Sequence, residues 1–286
     1  MPELPEVEVL VRHLRPLLQD KIIRTVHVRR ARVLAPTSPR KFTRALRGAK
    51  FVRLSRRGKY LLFTLQSPTR SEPFLLVGHL GMTGRMYLRP VKTPLPKHAA
   101  VVLNLGAQNF VFEDTRYFGR FTLDATAPDK LGPEPLEKQF TAEYLARALK
   151  RSAQPIKVKL LDQSLMAGVG NIYASEALFR AGISPRTAAR RLTLRQIVKL
   201  WLSIREVLAE AIARGSTVPL DYAGDSARDG LFYFGRAPAT PDSYEERLRV
   251  YDRAGRPCLD CGTPIKRLVQ AARSTFYCPR CQRHAR

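Results

Sequence analysis

Acidic residues are scarce in this 286-residue chain, with 24 Asp+Glu against 50 Lys+Arg and a formal net charge of +26. A compact body so charged repels itself unless it meets a polyanion. A phosphate backbone is the usual one, because each neutralised phosphate releases counterions. Cysteine is absent until position 258, and all four lie in the last 29 residues, which does not fit the disulfide framework of a secreted chain. No apolar run approaches the ~18 residues a spanning helix needs, so no membrane partner is expected. The start, Met1-Pro-Glu-Leu-Pro-Glu6, is acidic and broken by proline, the reverse of a secretory signal. Internal repeats and low-complexity tracts are also missing. What remains, with 44% hydrophobic residues, can bury a core and fill two domains. The expectation is a cytoplasmic nucleic-acid-binding protein.

Hydrophobic spacing divides the chain. Val7, Leu10, Val11, Leu14 and Leu18 recur at helical intervals, so a helix is predicted after Pro5. Between about 22 and 123 the apolar runs are short and strand-like (50–55, 60–65, 74–77, 100–105, 110–112), which suggests a sandwich or barrel. Prolines 128, 133 and 135 mark residues 124–139 as a linker. Thr141 can cap a helix to about 150, and a second runs from about 155 to 165. The turn Ala167-Gly-Val-Gly-Asn171 precedes a third helix, 172–181. The longest, 193–214, puts Leu194, Ile197, Val198, Trp201, Ile204, Leu208 and Ile212 on one face, with Gly215 as its stop. Residues 216–246 read as a long loop, and a separate small module begins at 247.

Cys258-Leu-Asp-Cys261 and Cys278-Pro-Arg-Cys281 form two CxxC turns sixteen residues apart. Two such knuckles present four thiolates, a complete tetrahedral shell for one structural zinc ion with no position open for chemistry. Arg267, Arg273, Arg280, Arg283 and Arg286 surround them. They read either as a DNA-facing hairpin or as solvated charges.

The N-terminus concentrates acids: Glu3, Glu6 and Glu8. A helix macrodipole accounts for Glu6 and Glu8 in the first turn but poorly for Glu3, which precedes Pro5. If Met1 is removed, Pro2 carries a secondary amine with a pKa of roughly 8. Such an amine is a nucleophile at neutral pH and can form an iminium with a sugar C1′.

Five motifs then stand in order: Pro2-Glu-Leu-Pro-Glu-Val-Glu8, Arg57-Gly-Lys-Tyr60, Gly78-His-Leu-Gly-Met-Thr-Gly84, Gly168-Val-Gly-Asn-Ile-Tyr-Ala174 and Phe276-Tyr-Cys-Pro-Arg-Cys-Gln282. Together they closely resemble the bacterial formamidopyrimidine-DNA glycosylase family, base-excision enzymes for oxidised purines. The resemblance implies an α+β multidomain chain. An N-terminal helix and catalytic β-sandwich would occupy 1–125 and a linker 126–139. A helix–two-turn–helix domain with a lesion-covering loop would occupy 140–246, and a zinc-finger hairpin 247–286. It further implies a monomeric glycosylase and abasic-site lyase acting on double-stranded DNA that carries oxidised bases or abasic sites, and nicking by β,δ-elimination. Pro2 is then the Schiff-base nucleophile, Glu3 the acid/base group at the sugar, Lys59 a strand-borne lysine needed for both steps, and Glu6 a supporting residue. Arg273 would contact the phosphate beside the lesion. Asn171, with its neighbouring amides, would bind phosphate, as would His98 and Lys157. Met82, Arg116 and Phe118 would fill the hole left by a flipped nucleotide. On residue type alone Met82 and Phe118 read as core, and His98 equally as a satisfied loop histidine.

Departures from the family pattern are local. Asp114-Thr-Arg-Tyr-Phe-Gly119 has Tyr117 where a basic residue is usual, and Val250-Tyr-Asp-Arg253 has Asp252 for glycine. In the lesion-covering loop, Ser216-Thr-Val-Pro219 replaces a Gly-Thr-Thr run. Proline has no N–H to offer a purine O6, so weak 8-oxoguanine excision relative to abasic cleavage is expected. Two other functions compete: a pyrimidine-lesion glycosylase of the endonuclease VIII type, and a non-catalytic damaged-DNA-binding protein. The latter would have no need of Pro2, Glu3 and Lys59 together.

Overall fold

The computed structural model describes residues 2–214 and 248–283. These form two compact units, one of Pro2 with Val7–Lys130, the other of Glu3–Glu6 with the described residues from Leu131 onward. Gly215 and the loop 216–246, with Val218 and Pro219, lie outside the described residues, as does Arg286. Among the described residues no helix is long and apolar enough to cross a membrane.

The first helix, α1 (Leu4–Leu18), starts one residue before Pro5, which a helix's first turn tolerates because its N–H has no partner there anyway. Its apolar stripe Val7, Leu10, Val11, Leu14 and Leu18 is buried throughout. Two four-stranded antiparallel sheets complete the first unit. One runs in the order β1 (Thr25–Val28), β6 (Ala99–Asn104), β7 (Gln108–Asp114), β5 (Gly84–Pro90); the other is β2 (Lys50–Arg57), β3 (Tyr60–Gln66), β4 (Phe74–His79), β8 (Arg120–Thr122). Their inner faces bury Phe51, Phe63, Phe110, Phe112 and Phe121, packed edge to face at 5.7–6.2 Å between centroids. Such pairing adds to plain area burial.

Three strands carry too little apolar signal to be seen in sequence. β8 is three residues long, β5 interleaves arginines with Met86 and Tyr87, and β1 sits at a sheet edge with no fully buried side chain. A helix also hides in the strand-like region: α2 (Pro39–Leu46), started by Ser38 accepting the Lys41 N–H, with Pro39 in its first turn and Phe42 and Leu46 buried. The stretch read as a linker opens with one helical turn, α3 (Thr126–Asp129).

In the second unit α4 (Ala142–Leu149) is capped by Thr141 as expected. The next helix, α5 (Ile156–Leu160), is shorter than the predicted 155–165. Asp162 stops it by accepting the Ser164 N–H in a local turn that competes with helix. α6 (Asn171–Ala181) follows the glycine turn, and α7 (Leu194–Ala213) opens with a Thr193–Gln196 capping box. The apolar face of α7 is rotated from the expected one. Ile197, Leu200, Ile204, Val207 and Leu208 are buried, whereas Leu194 is 73% exposed and Val198 is exposed too. Trp201 stays half-buried because its indole N–H reaches the Phe140 carbonyl at 2.7 Å.

The terminal hairpin pairs β9 (Lys266–Gln270) with β10 (Arg273–Tyr277) through a two-residue turn, Ala271-Ala272, both at positive φ (47° and 58°). Such turns favour Asn-Gly, since a left-handed backbone with a Cβ costs roughly 1–2 kcal/mol per residue. The double substitution Ala271→Asn, Ala272→Gly should therefore stabilise the finger by about 1–2 kcal/mol, read as slower amide exchange across β9 and β10. Unchanged exchange would show that the turn carries no strain.

Candidate functional site

The N-terminal acids find their explanation at the start of α6. Glu3 precedes α1, and its amide donates to Glu6 Oε2 at 2.7 Å, half of a capping box. Its carboxylate is buried and accepts the amides of Gly170 (2.7 Å), Ile172 (2.8 Å) and Tyr173 (3.3 Å), the positive end of the α6 dipole. The glycines of the Gly-Val-Gly turn make this docking possible. A Cβ on Gly170 would lie 2.5 Å from Glu3 Cδ, and one on Gly168 (φ +87°) would lie 2.6 Å from Leu4 Cβ. The amides beside Asn171, expected to bind phosphate, are instead taken: those of Gly170, Ile172 and Tyr173 donate to Glu3.

Glu6 is buried beside it and accepts the Tyr173 hydroxyl at 2.6 Å. Burial, and then the charge of Glu3, raise its pKa above the ordinary glutamate value, against the lowering effect of the Tyr173 hydrogen bond.

The Asn171 side chain bridges two further expected residues. Its Oδ1 accepts from Lys157 Nζ at 2.6 Å, and its Nδ2 donates at 2.8 Å to the carbonyl of Ser274, next to Arg273. Lys157 is fully buried, and burial lowers its pKa to about 8, with Arg273 adding to the fall and Glu3 opposing it. Arg273 itself is exposed at the start of β10. Glu3, Glu6, Lys157, Asn171 and Arg273 therefore converge on one end of α6.

The first unit holds the other expected residues. Pro2 is buried. Lys59 is not on a strand: it occupies the two-residue turn between β2 and β3, 6% exposed. Its charge and that of Arg120 act on His79, whose pKa falls to about 4, chiefly through burial. His79 is thus neutral at neutral pH, and its Nδ1 accepts the Gly81 amide at 3.1 Å.

Met82 and Phe118 are 42% and 47% exposed, so the core reading of both fails. The turn after β4 and the loop after β7 bring them together. Arg116 lies over the Phe118 ring at 4.7 Å and donates to Met82 Sδ at 3.1 Å. Two uncovered apolar side chains around a guanidinium can wedge into a base stack.

Sequence reasoning missed what holds this cluster. Asp114 is fully buried and accepts from Thr83 Oγ1 (2.6 Å), Arg116 N (3.1 Å) and Gly119 N (2.8 Å), tying both loops. An acid inside an aromatic and basic stretch was the available signal. Tyr117, the departure from pattern, sits at φ +53° with its hydroxyl 3.3 Å from His98 Nδ1 and Arg30 over its ring at 5.5 Å. His98 thus has a partner in the wedge loop.

The four cysteine sulfurs lie within 4.8 Å of one another, with Cys258–Cys281 at 3.9 Å and Cys261–Cys278 at 3.5 Å. A tetrahedral ion about 2.3 Å from each sulfur sets them about 3.8 Å apart, so Cys258, Cys261, Cys278 and Cys281 fit one zinc ion. Two buried polar groups outside the expected set bind this module to the helices. Glu176 of α6 accepts the amides of Arg249, Val250 and Tyr251 at 2.8–3.0 Å. Burial raises its pKa, and those three amides oppose the rise. Gln282 donates to the Ile183 carbonyl and accepts from the Cys278 amide. A carboxylate among Ala174, Ala177 and Leu178 was the signal for Glu176. Asp252 adopts φ +57°, which explains the family glycine; aspartate is among the few side chains that tolerate it.

Comparison with known proteins matches residues 1–121 to the formamidopyrimidine-DNA glycosylase N-terminal domain, 131–220 to the formamidopyrimidine-DNA glycosylase H2TH domain, and 255–283 to the zinc finger found in FPG and IleRS. The chain is 42% identical to a formamidopyrimidine-DNA glycosylase of Desulfitobacterium hafniense, over 99% of this chain and 100% of that one. It is also 42% identical to the Thermus thermophilus enzyme, over 99% and 98%. Among solved structures it is similar to the Lactococcus lactis Fpg in complex with an abasic site containing DNA, with a TM-score of 0.85 and 30% identity over 99% of this chain and 100% of that one. A Lactococcus lactis FPG mutant with a Fapy-dG containing DNA gives 0.85 and 32% over the same shares.

Proposed function

The chain belongs to the formamidopyrimidine-DNA glycosylase family, and from that premise we propose how its own residues excise an oxidised purine and cut the strand. It is a zinc-containing DNA glycosylase of base-excision repair. The duplex is opened by the Met82–Arg116–Phe118 cluster. The apolar pair fills the vacated stack, and Arg116 faces the orphaned base, at a cost of a few kcal/mol per unstacked step.

With Met1 removed, the Pro2 nitrogen uses its lone pair to bond C1′. The bond from C1′ to the base breaks, and the base leaves with a proton. The sugar opens to a cationic iminium on Pro2, with Glu3 as its acid/base group. Loss of the C2′ proton expels the 3′ phosphate, a second elimination expels the 5′ phosphate, and water returns the amine. Lys59 supports both stages. Lys157, Asn171, Arg273 and His98 hold the backbone, and the zinc ion keeps the finger folded. Working on chromosomal DNA with four reduced cysteines fits a cytoplasmic setting.

The observation that carries this reading is the buried Glu3 carboxylate, locked by three amides one residue after the Pro2 nitrogen. The test is borohydride trapping on abasic duplex with protein of verified mass. Met1-free protein should give a covalent adduct in full yield and Met1-retaining protein none, because its Pro2 nitrogen is an amide. No adduct from Met1-free protein would leave only a damage-binding role. Faster removal of thymine glycol than of formamidopyrimidine would move the chain to the pyrimidine branch.

A further inference from the structure

The positive charge is unevenly placed. Residues 21–71 contain 15 Lys+Arg and no Asp or Glu, so more than half of the net +26 sits in under a fifth of the chain. We propose that this acid-free segment, centred on α2, is a second duplex-binding face that takes the phosphate backbone of DNA flanking the lesion. The proposal rests on the DNA-repair reading above and adds a surface to it.

Part of the charge has a plainer explanation. β1 and β2 are edge strands, and cations there discourage strand-to-strand aggregation. α2 is no edge. Its Arg40 and Arg44 recur at i and i+4, Lys41 lies beside them and Arg47 follows as the C-cap, all exposed, while Phe42 and Leu46 fill the opposite, buried side. None of these four cations meets a carboxylate among the described residues. Like charges at i, i+4 weaken a helix, so the stripe works against the element that carries it and asks for an external anion. The eight residues of α2 span about 12 Å at the helical rise, the axial length of about three phosphates on one strand.

The face is continuous with the wedge. Arg30 covers the Tyr117 ring beside Arg116 and Phe118. The chain then runs through the 3-10 turn Ala31–Leu34, whose neighbour Thr37 bonds Thr122 (2.8 Å) and the Leu123 amide (3.1 Å), and enters α2 at Ser38. Exposed Arg29, Arg30 and Arg32 fill the interval. A duplex seated on the wedge meets this surface as it extends.

The test replaces Arg40, Lys41, Arg44 and Arg47 by glutamine, with a second protein carrying lysine at the three arginine positions. Affinity for a non-cleavable abasic analogue is measured against salt, in duplexes of about 12 and about 40 base pairs. On the long duplex the log–log slope should be shallower by about 2–3 in the glutamine protein, at about 0.9 per lost phosphate contact, and restored in the lysine protein. On the short duplex affinity should match wild type, as should borohydride trapping on a separate short duplex with a true abasic site, which also reports folding and an intact lesion site. Equal slopes on the long duplex would make the stripe a solvated face. An equal loss on both duplexes would place these cations in the lesion site and overturn a flanking contact. Trapping lost in wild type as well would strike the glycosylase reading, not this one.

Discussion

Glu3→Gln should abolish base excision and destabilise the helical unit at the same time. The carboxylate accepts three amides with two oxygens, both of them used. A glutamine offers one oxygen and one NH2, so one or two amides at the start of α6 face a donor. Leaving a buried donor unsatisfied costs roughly 1–3 kcal/mol, and the helix end loses its countercharge, worth up to ~1 kcal/mol more. The melting temperature should fall by several degrees, about 2–4 °C per kcal/mol for a chain of this size. Loss of the acid/base group removes a further ~10²–10⁴ in rate. Single-turnover excision and calorimetry read the two effects separately. Excision within about tenfold of wild type would remove Glu3 from the chemistry. An unchanged melting temperature would mean the three amides find water in its place.

How much of this was legible in the sequence differs by level. Regular periodicity carried α1, α4 and α7, and capping residues marked the starts of α4 and α7, because Thr141 and Thr193 announce a helix through one local hydrogen bond. The edge strand β1 and the three-residue β8 were invisible because pairing with a neighbour, not their own pattern, makes them strands. The rotated face of α7 shows a different limit: counting apolar residues located a face, but among the described residues Leu194 and Val198 remain exposed. At the site, Pro2, Glu3, Lys59 and the cysteines came from motifs. Sequence gave no hint that Glu3 would occupy the amides expected to bind phosphate, since that contact joins positions 167 residues apart. Asp114 and Glu176 look like surface acids until their partners are seen, two amides and the Thr83 hydroxyl for Asp114 and three amides for Glu176.

The zinc finger should be as indispensable for DNA binding as Glu3 is proposed to be for chemistry. Among the described residues the module's buried core is six residues, Phe179 of α6 with Val250, Cys258, Ile265, Phe276 and Cys278. A core that small does not fold unaided, whereas structural zinc contributes about 10–16 kcal/mol of apparent binding free energy. Cys278→Ser, or chelation, should therefore unfold residues 248–283 and carry Arg273 away from the Lys157–Asn171 group. Asn171 then loses the Ser274 carbonyl, and Glu176 loses the three amides that satisfy its buried carboxyl group. Lesion-duplex affinity should drop by about 100-fold or more at moderate salt, with a shallower salt slope as finger cations leave the backbone. Strand-rich circular dichroism and the thermal transition of the β-sandwich should persist. Glu176→Ala offers a second route to the same end with every zinc ligand intact. It should loosen the attachment at residues 249–251 and weaken binding while zinc content stays at one per chain. Full affinity in a zinc-free protein, or in Glu176→Ala with its finger shown by proteolysis to be detached, would mean that the other cations alone suffice to hold the duplex.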